Sequence, residues 1–157
     1  MRKIDFFLLT DALEKLKAKP DYVLIDCPPN LGLSTVNALT ASDTVIIPTT
    51  ADELSIYGIG NLSRTLETVR KINPDLKIEG ILITRWRSRI NLNQDMEQGL
   101  KEIAQRLGTK VFKTKVRENS KLREAQFVRQ SVQEFNKKAI AATDYSEAFT
   151  EFMENRK

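Results

Sequence analysis

The sequence has no histidine, a single cysteine at Cys27 and a single tryptophan among its 157 residues. The absence of histidine excludes histidine-based acid–base catalysis and argues against a zinc site, since protein zinc sites are built mostly from histidine and cysteine. One cysteine excludes an internal disulfide. Any chemistry must therefore come from carboxylates, amines, hydroxyls and a bound ion.

Long apolar runs are also missing. No stretch approaches the eighteen or so apolar residues of a membrane span, and the charged, interrupted N-terminus does not resemble a secretory signal. The composition, 41% hydrophobic and 29% charged, is ordinary for a soluble globular protein. We expect one domain over residues 1–157, a cytoplasmic location and no membrane partner.

Glycine is scarce in the first part of the chain, where none precedes Gly32. A Walker A loop needs a glycine-rich turn whose backbone amides cradle phosphates, and none of the six glycines opens such a pattern. The pair Gly58 and Gly60 is not a dinucleotide fingerprint, because no third glycine follows at the required spacing. These 157 residues therefore contain no recognisable glycine-rich phosphate loop.

The most informative stretch that is present begins with the apolar residues 22–25 and ends in Asp26, Cys27 and two prolines. Apolar, partly β-branched residues predict a buried strand, and the prolines end it just where Asp26 emerges. A carboxylate beyond the end of a parallel strand suits a hydrated Mg²⁺ beside phosphates. The alternative is that Asp26 only caps backbone amides in a turn.

Periodicity along the rest of the chain predicts alternating helices and strands. Four strands are expected at residues 22–26, 44–48, 77–84 and 111–116. Helices are expected near residues 5–17, 34–41, 54–72, 93–107, 120–128 and 139–155, with Gly108 as a C-cap. This order predicts an α/β fold with a mostly parallel sheet of about four strands and flanking helices.

Positive charge is concentrated in the second half of the chain. Residues 1–80 carry 9 basic and 11 acidic side chains, residues 81–157 carry 16 and 10, and residues 85–129 alone carry 12 and 5. Three arginines surround Trp86, and Lys113 and Lys115 are expected on the solvated face of an outer strand. This pattern favours a polyanion such as DNA if the charges share a face. A solvated surface without a partner, and a tryptophan packed under arginine stems, are the alternatives.

Residues 21–39, from Asp21 to Leu39, resemble the second switch segment of the ParA/Soj chromosome- and plasmid-partitioning ATPases, relatives of MinD with a deviant Walker A loop. Further matches follow in family order along almost the whole chain, at residues 45–48, 80–84, 91–92, 111–114, 119–125 and 142–145. The resemblance implies a partial P-loop NTPase fold.

The same resemblance implies Mg-ATP as a cofactor, DNA bound without sequence preference, a homodimer closed by ATP and a ParB-type partner protein. It implies that Asp26 helps to hold Mg²⁺. By resemblance, the nucleotide-binding residues are Pro28, Gly32, Thr84, Arg117 and Asn119. The candidate DNA-binding residues, chosen from the basic second half, are Arg85, Arg87, Arg89, Lys113, Lys115, Lys121 and Arg123.

Two departures from the family stand out. Arg117-Glu118-Asn119 replaces the usual Pro-Arg-Asn, and the Walker A loop and first switch region are absent, so the sequence resembles a truncated, C-terminal portion. We expect strands 22–26 and 44–48 to pair directly, or a second copy to fill the gap between them. We also expect this chain alone not to hydrolyse ATP. The alternatives are a nucleotide-independent DNA-binding or dimerisation fragment without enzymatic activity, and a stable but inactive product.

Overall fold

The computed structural model describes residues 5–28, 30–87 and 92–154. The chain divides into two compact units, the first formed by residues 1–45 and 60–77 and the second by residues 46–59 and 78–157. The elements, in chain order, are α1 (Leu8–Glu14), α2 (Leu33–Thr40), β1 (Thr44–Thr50), α3 (Glu53–Val69), β2 (Lys77–Thr84), α4 (Leu92–Arg106), α5 (Ser120–Phe127), α6 (Val132–Phe135) and α7 (Ile140–Glu154).

The sheet of the described residues consists of β1 and β2, which pair in parallel. This confirms the α/β class with flanking helices. The strand predicted at residues 22–26 is wrong, because Tyr22 and Val23 are about half exposed and Leu24 is 94% exposed, with no strand pairing in this part of the described chain. Apolar composition makes a strand only where another strand pairs with it, and the sheet of the described residues contains β1 and β2 alone. The expected pairing of residues 22–26 with β1 is not formed either.

The fourth predicted strand, at residues 111–116, is replaced by an irregular run that we call the 110–118 segment. It forms two isolated parallel bridges, one between Val111 and Ile81 of β2 and one between Arg117 and Trp86, which lies beyond the end of β2. Between them the Val116 N–H donates to the Ile83 carbonyl of β2 at 2.9 Å, whereas the N–H groups of Lys113 and Thr114 donate to the Glu151 carboxylate of α7, both at 2.9 Å. A side chain distant in sequence thus takes over the hydrogen bonds of a strand.

In the first unit, the Asn73 side chain holds the end of α2. Its amide donates to the carbonyls of Leu39 and Thr40, both at 3.1 Å, and of Ser42 at 2.8 Å. The last carbonyls of a helix have no partner within the helix. Asn73, which follows α3, supplies this hydrogen-bond partner although it lies 31 to 34 residues further along the chain.

The core of the second unit lies where β2 meets α4 and the 110–118 segment. Ile81, Ile83 and Leu100 are fully buried and Phe112 is 2% exposed. Phe112 packs directly on the backbone of Gly80: a Cβ there would lie 2.6 Å from Phe112 Cε2. Glycine is therefore required at position 80 by close packing.

The C-terminal helices form a smaller cluster within the same unit, with Ala125, Val132 and Ala142 buried together. The short helix α6 was not predicted; it begins with a capping box in which Ser131 and Glu134 bond each other's backbone N–H groups. Gly108 has φ +69°, which confirms the predicted glycine at the end of α4. Among the described residues, no helix has the length and apolar character needed to cross a bilayer.

Candidate nucleic-acid interface and nucleotide site

Asp26, the predicted magnesium ligand, lies in an irregular and exposed part of the first unit together with Cys27 and Pro28; we call residues 22–28 the 22–28 segment. Partial burial and the neighbouring charge of Asp26 raise the pKa of the Cys27 thiol. Gly32 is the N-cap of α2, in extended conformation. Over residues 5–28, 30–87 and 92–154, no three Asp, Glu or Cys side chains gather closely enough to hold a metal ion. The magnesium role of Asp26 stays a prediction.

Hydroxyl groups and a carboxylate gather in the second unit where β1 and β2 end. The Thr84 hydroxyl donates to the Thr49 carbonyl at 3.0 Å. Asp52 caps α3: its carboxylate accepts hydrogen bonds from the Thr50 hydroxyl and, at 2.8 Å, from the Ser55 N–H. These two bonds lower the pKa of Asp52. The carboxyl ends of parallel strands thus carry polar groups, as the sequence predicts for Thr84.

Arg117, a predicted nucleotide contact, is fixed by a buried carboxylate. Asp144 of α7 is 2% exposed. Its Oδ2 accepts from the Arg117 N–H at 2.9 Å and from Arg117 Nε at 3.0 Å, while Oδ1 accepts from Nη2. Burial raises the pKa of Asp144, but the hydrogen bonds from the Arg117 guanidinium and N–H outweigh it and hold the pKa below the ordinary value. The Arg117 guanidinium is therefore already engaged.

Asn119, the other predicted nucleotide contact in this loop, begins α5. Its side-chain oxygen accepts from the Lys121 N–H at 2.8 Å. This N-cap turns the chain immediately after the Trp86–Arg117 bridge. Thr84, Arg117 and Asn119 therefore all belong to the second unit, whereas Asp26, Pro28 and Gly32 belong to the first.

Three of the predicted DNA-binding arginines converge on one glutamate. Arg87 forms an ion pair with Glu118, and Arg85 and Arg123 lie near enough for their charges to act on the same carboxylate. The hydrogen bond from Arg87, opposed by slight burial and reinforced by the three positive charges, lowers the pKa of Glu118. Arg85 has φ +53° and turns the chain at the end of β2. We call Arg85, Arg87 and Arg123 with Glu118 the arginine cluster.

Lys115 does not lie on a solvated face as predicted. Its Nζ sits 4.2 Å from the centre of the Trp86 ring and forms an ion pair with Glu97, and the side chain is only 23% exposed. The predicted alternation of an outer strand fails here because residues 112–116 form no strand. Trp86 therefore packs under Lys115, a cation–π contact.

The remaining predicted basic residues differ in their surroundings. Lys113 is exposed, and its backbone N–H is bound by Glu151. Lys121 forms an ion pair with Glu124 at 2.7 Å, with both side chains close to half exposed. Arg89 lies outside the described residues.

The sequence did not single out Glu118, Asp144 or Glu151, which hold this region together. For Asp144 a signal was available: it follows Ala141 by three residues and precedes Ala148 by four, on the buried face of α7, where a lone carboxylate needs a partner. For Glu118, paired with Arg87 from 31 residues away, local sequence carried no such signal.

Comparison with known proteins agrees with this architecture. A family model described as an AAA domain matches residues 2–78. The sporulation initiation inhibitor protein Soj of Bacillus subtilis is 44% identical over 118 residues, 74% of this chain and 46% of Soj. The chromosome partitioning protein ParA of Myxococcus xanthus is 43% identical over 119 residues, 75% of this chain and 41% of that protein. The chain thus spans less than half the length of these relatives.

A solved structure extends the comparison to the fold. Cobyrinic acid a,c-diamide synthase from Mycobacterium smegmatis, crystallised with an ATP analogue and magnesium, superposes with a TM-score of 0.71 at 34% identity, covering 90% of this chain and 51% of that one. The identities to Soj and ParA over 74% and 75% of this chain make it a ParA/Soj-like protein in its family, and the solved structure agrees with its α/β fold.

Proposed function

We propose that this chain acts in chromosome or plasmid partitioning by binding duplex DNA without sequence preference, through the basic side chains of its second unit. The arginine cluster is the observation that supports this best. Arg85 and Arg87 follow the end of β2, and Arg87 forms an ion pair with Glu118, on whose carboxylate the charges of Arg85 and of Arg123 of α5 also act. Exposed Lys113 belongs to the same unit.

Arginine suits this role because its planar guanidinium binds phosphate oxygens through two parallel hydrogen bonds. Phosphate contacts position a protein on DNA but carry no sequence information. Lys115 covers the Trp86 ring. We therefore expect the arginines, and not stacking of Trp86 on the bases, to supply most of the affinity for DNA. We therefore expect binding that depends on salt and not on base sequence.

A salt titration tests this proposal. The purified chain is titrated with an arbitrary duplex at several salt concentrations, and the affinity of the wild type should fall steeply as salt rises. The triple variant Arg85→Gln, Arg87→Gln, Arg123→Gln should lose most of the affinity for the duplex at low salt. A matched control changes Arg64, Arg70 and Lys71, exposed residues of the first unit, to glutamine. Equal losses in both triple variants, or no binding at low salt, would refute the proposal.

A second candidate function is Mg-ATP binding, which the family and the solved relative with bound ATP analogue and magnesium support. The residues that would take part are Asp26 toward the magnesium and Thr84, Arg117 and Asn119 toward the nucleotide, with Pro28 and Gly32 in the first unit. The fit is incomplete: the Arg117 guanidinium is bound to Asp144, and the 157 residues hold no Walker A pattern to cradle phosphates.

We accordingly propose that these 157 residues alone do not hydrolyse ATP. Phosphoryl transfer depends on positioning and charge stabilisation of the phosphates, and a single carboxylate at Asp26 supplies too little of either. Magnesium-dependent ATP turnover by the purified chain, lost on Asp26→Ala, would contradict this. A rise in melting temperature with Mg-ATP but no turnover would show binding without catalysis.

A homodimer and a ParB-type partner protein complete the proposal, on the ground of family membership alone. Sedimentation of the chain with and without Mg-ATP and duplex DNA tests the first. A dimer should appear, and its mass should not change in the arginine triple variant if dimerisation and DNA binding use different surfaces. Sedimentation as a monomer under every condition would remove the dimer from the proposal.

A further inference from the structure

Glu118 is the acidic member of the arginine cluster, and its position is fixed by the backbone. The Glu118 N–H donates to the Trp86 carbonyl at 3.1 Å, beside the parallel bridge between Trp86 and Arg117. This places Glu118 directly across from Arg87, whose guanidinium Nε donates to the carboxylate. The Arg87 side chain is 60% exposed and that of Glu118 is 24% exposed, so the pair faces solvent at the edge of the unit.

The other ion pairs of this unit have a different character. Glu124 meets Lys121, and both side chains are nearly half exposed, an ordinary surface pair along one helix. Glu97 holds Lys115 over Trp86, where the lysine is mostly covered. Glu118 is paired with Arg87, and the charges of Arg85 and Arg123 also act on its carboxylate. It therefore sits where positive potential is concentrated.

A carboxylate and a phosphate make the same kind of contact with arginine, since both offer two oxygens to the planar guanidinium. We infer that Glu118 occupies a phosphate position of the DNA-binding surface in the free chain, and that a DNA backbone phosphate must displace it to reach Arg87 and its two neighbours. Glu118 thereby limits the affinity for DNA. This inference rests on the proposed function, because it assumes that the arginine cluster contacts duplex DNA.

Displacing Glu118 from Arg87 should lower the stability of the fold only slightly. The Arg87–Glu118 pair is exposed, and exposed ion pairs contribute little to stability. Glu118 can therefore leave Arg87 without unfolding its surroundings, while the Glu118 N–H keeps its bond to the Trp86 carbonyl. Glu118 therefore lowers the affinity for DNA but does not prevent binding.

The test compares Glu118→Gln with Glu102→Gln. Glu102 is exposed on α4 in the same unit, so both variants raise the net charge by one. Each chain is titrated with one arbitrary duplex over a range of salt concentrations. Glu118→Gln should bind about fivefold more tightly at low salt, with a salt slope steeper by about one phosphate contact. Glu102→Gln should change the affinity less than twofold. Glu118→Lys should strengthen binding further, and Arg87→Gln should weaken it in every background.

The outcomes separate the inference from the proposed function. If the wild type binds duplex and Glu118→Gln binds no better than Glu102→Gln, the inference is wrong and the proposed function stands. If no chain binds duplex at low salt, both are wrong. If the wild type fails to bind but Glu118→Gln binds, Glu118 blocks the surface, and the inference that it only lowers the affinity is wrong. A parallel titration with ATP identifies the phosphate source, because a gain for ATP without a gain for duplex would overturn the assignment to DNA. Melting temperatures within a few degrees of the wild type show that the variants are folded.

Discussion

Two segments that end in candidate site residues are held in opposite ways. The 22–28 segment, which carries Asp26, is exposed and forms no strand in the described structure, although its sequence is the more strand-like of the two. The 110–118 segment, which contains Arg117, is irregular, yet it is bonded to Ile81 of β2 near one end, to Trp86 near the other, and to α7 through Asp144 and Glu151. Order in a segment thus depends on available partners more than on its own composition.

The difference also bears on function. A segment bonded at several points presents its side chains in a fixed arrangement, which a binding surface needs. The arginine cluster has this support, since the backbone around Trp86 and Arg117 is fixed by hydrogen bonds of 3.0 and 3.1 Å. Asp26 has no comparable support among the described residues. This contrast is why DNA binding, and not ATP hydrolysis, is the activity we propose for the chain alone.

Leaving aside the core control Leu100→Ala, the largest effect is expected at the contact between Asp144 and Arg117. Asp144→Ala leaves the Arg117 N–H and guanidinium without their acceptor, and we expect a loss of about 2–3 kcal/mol in the free energy of unfolding, moderated because the Arg117 side chain is 49% exposed. Urea denaturation measures it. Asp144→Asn keeps one acceptor and should lose less. If Asp144→Ala is as stable as the wild type, the 110–118 segment is not held by this contact.

Gly80→Ala tests the close packing between β2 and the 110–118 segment. The added Cβ would lie 2.6 Å from Phe112 Cε2, so the ring must move, at a cost of about 1–3 kcal/mol. Phe112→Leu in the same chain should recover part of the Gly80→Ala loss, because the two positions couple.

The matched glycine control is Gly58→Ala on α3, where nothing lies within 4 Å of the new Cβ. There alanine should stabilise the helix by about 0.5 kcal/mol. A destabilised Gly58→Ala chain, or an unaffected Gly80→Ala chain, would show that the contacts around these glycines differ in solution.

Glu151 makes the stability of the 110–118 segment depend on pH. Burial opposes its ionisation, but the N–H groups of Thr114 and Lys113 outweigh burial and lower its pKa below the ordinary 4.5. A lowered folded-state pKa contributes stability at pH values above 4.5, and this contribution is lost as the pH falls through the folded-state pKa.

Glu151→Gln should therefore be less stable than the wild type by about 1 kcal/mol at pH 7, with the difference shrinking as the pH falls below 4.5. Denaturation midpoints measured across this range check the prediction. Glu154→Gln, an exposed position on the same helix, is the control with the same change of charge. A gap between Glu151→Gln and the wild type that stays constant down to low pH would contradict the assignment.

The helices were predictable because their signal is local. The apolar spacing in α3 and α4 recurs at every turn, and Gly108 marks the end of α4, so a short window contains the whole pattern. β1 and β2 were predictable for a related reason: each is an apolar run, and the two runs are each other's partners. The family could also be identified from the residues after Asp26, which match in order and spacing.

Composition predicts strands at residues 22–26 and 111–116 that do not form. A strand also depends on residues elsewhere in the chain, which composition does not reveal. Val23 and Leu24 have strand-forming character but form no strand in the described structure, whereas Val111 and Phe112 bond to Ile81 and the chain loses regularity where Glu151 binds Lys113 and Thr114. The candidate site also combines features that local sequence shows with features that depend on distant residues. Its basic residues are visible in the sequence, while their acidic partners, Glu118 and Glu97, become apparent only in three dimensions.

The smallest effect, and the most direct test of the comparison, is expected at Leu24. This side chain is 94% exposed, so Leu24→Ala should change the free energy of unfolding by less than about 0.5 kcal/mol. The matched variant Leu100→Ala removes the same atoms from a fully buried position and should cost about 2–5 kcal/mol. Hydrogen exchange should agree, with the amides of residues 23–26 exchanging quickly and that of Ile81, bonded to Lys110, slowly.

A loss of more than about 1 kcal/mol for Leu24→Ala would mean that this leucine is covered in solution. If that loss grew with protein concentration, the cover would be a second copy of the chain, because only an intermolecular contact makes stability depend on concentration. The contrast between the two segments would then describe the isolated chain and not the assembly in which it acts.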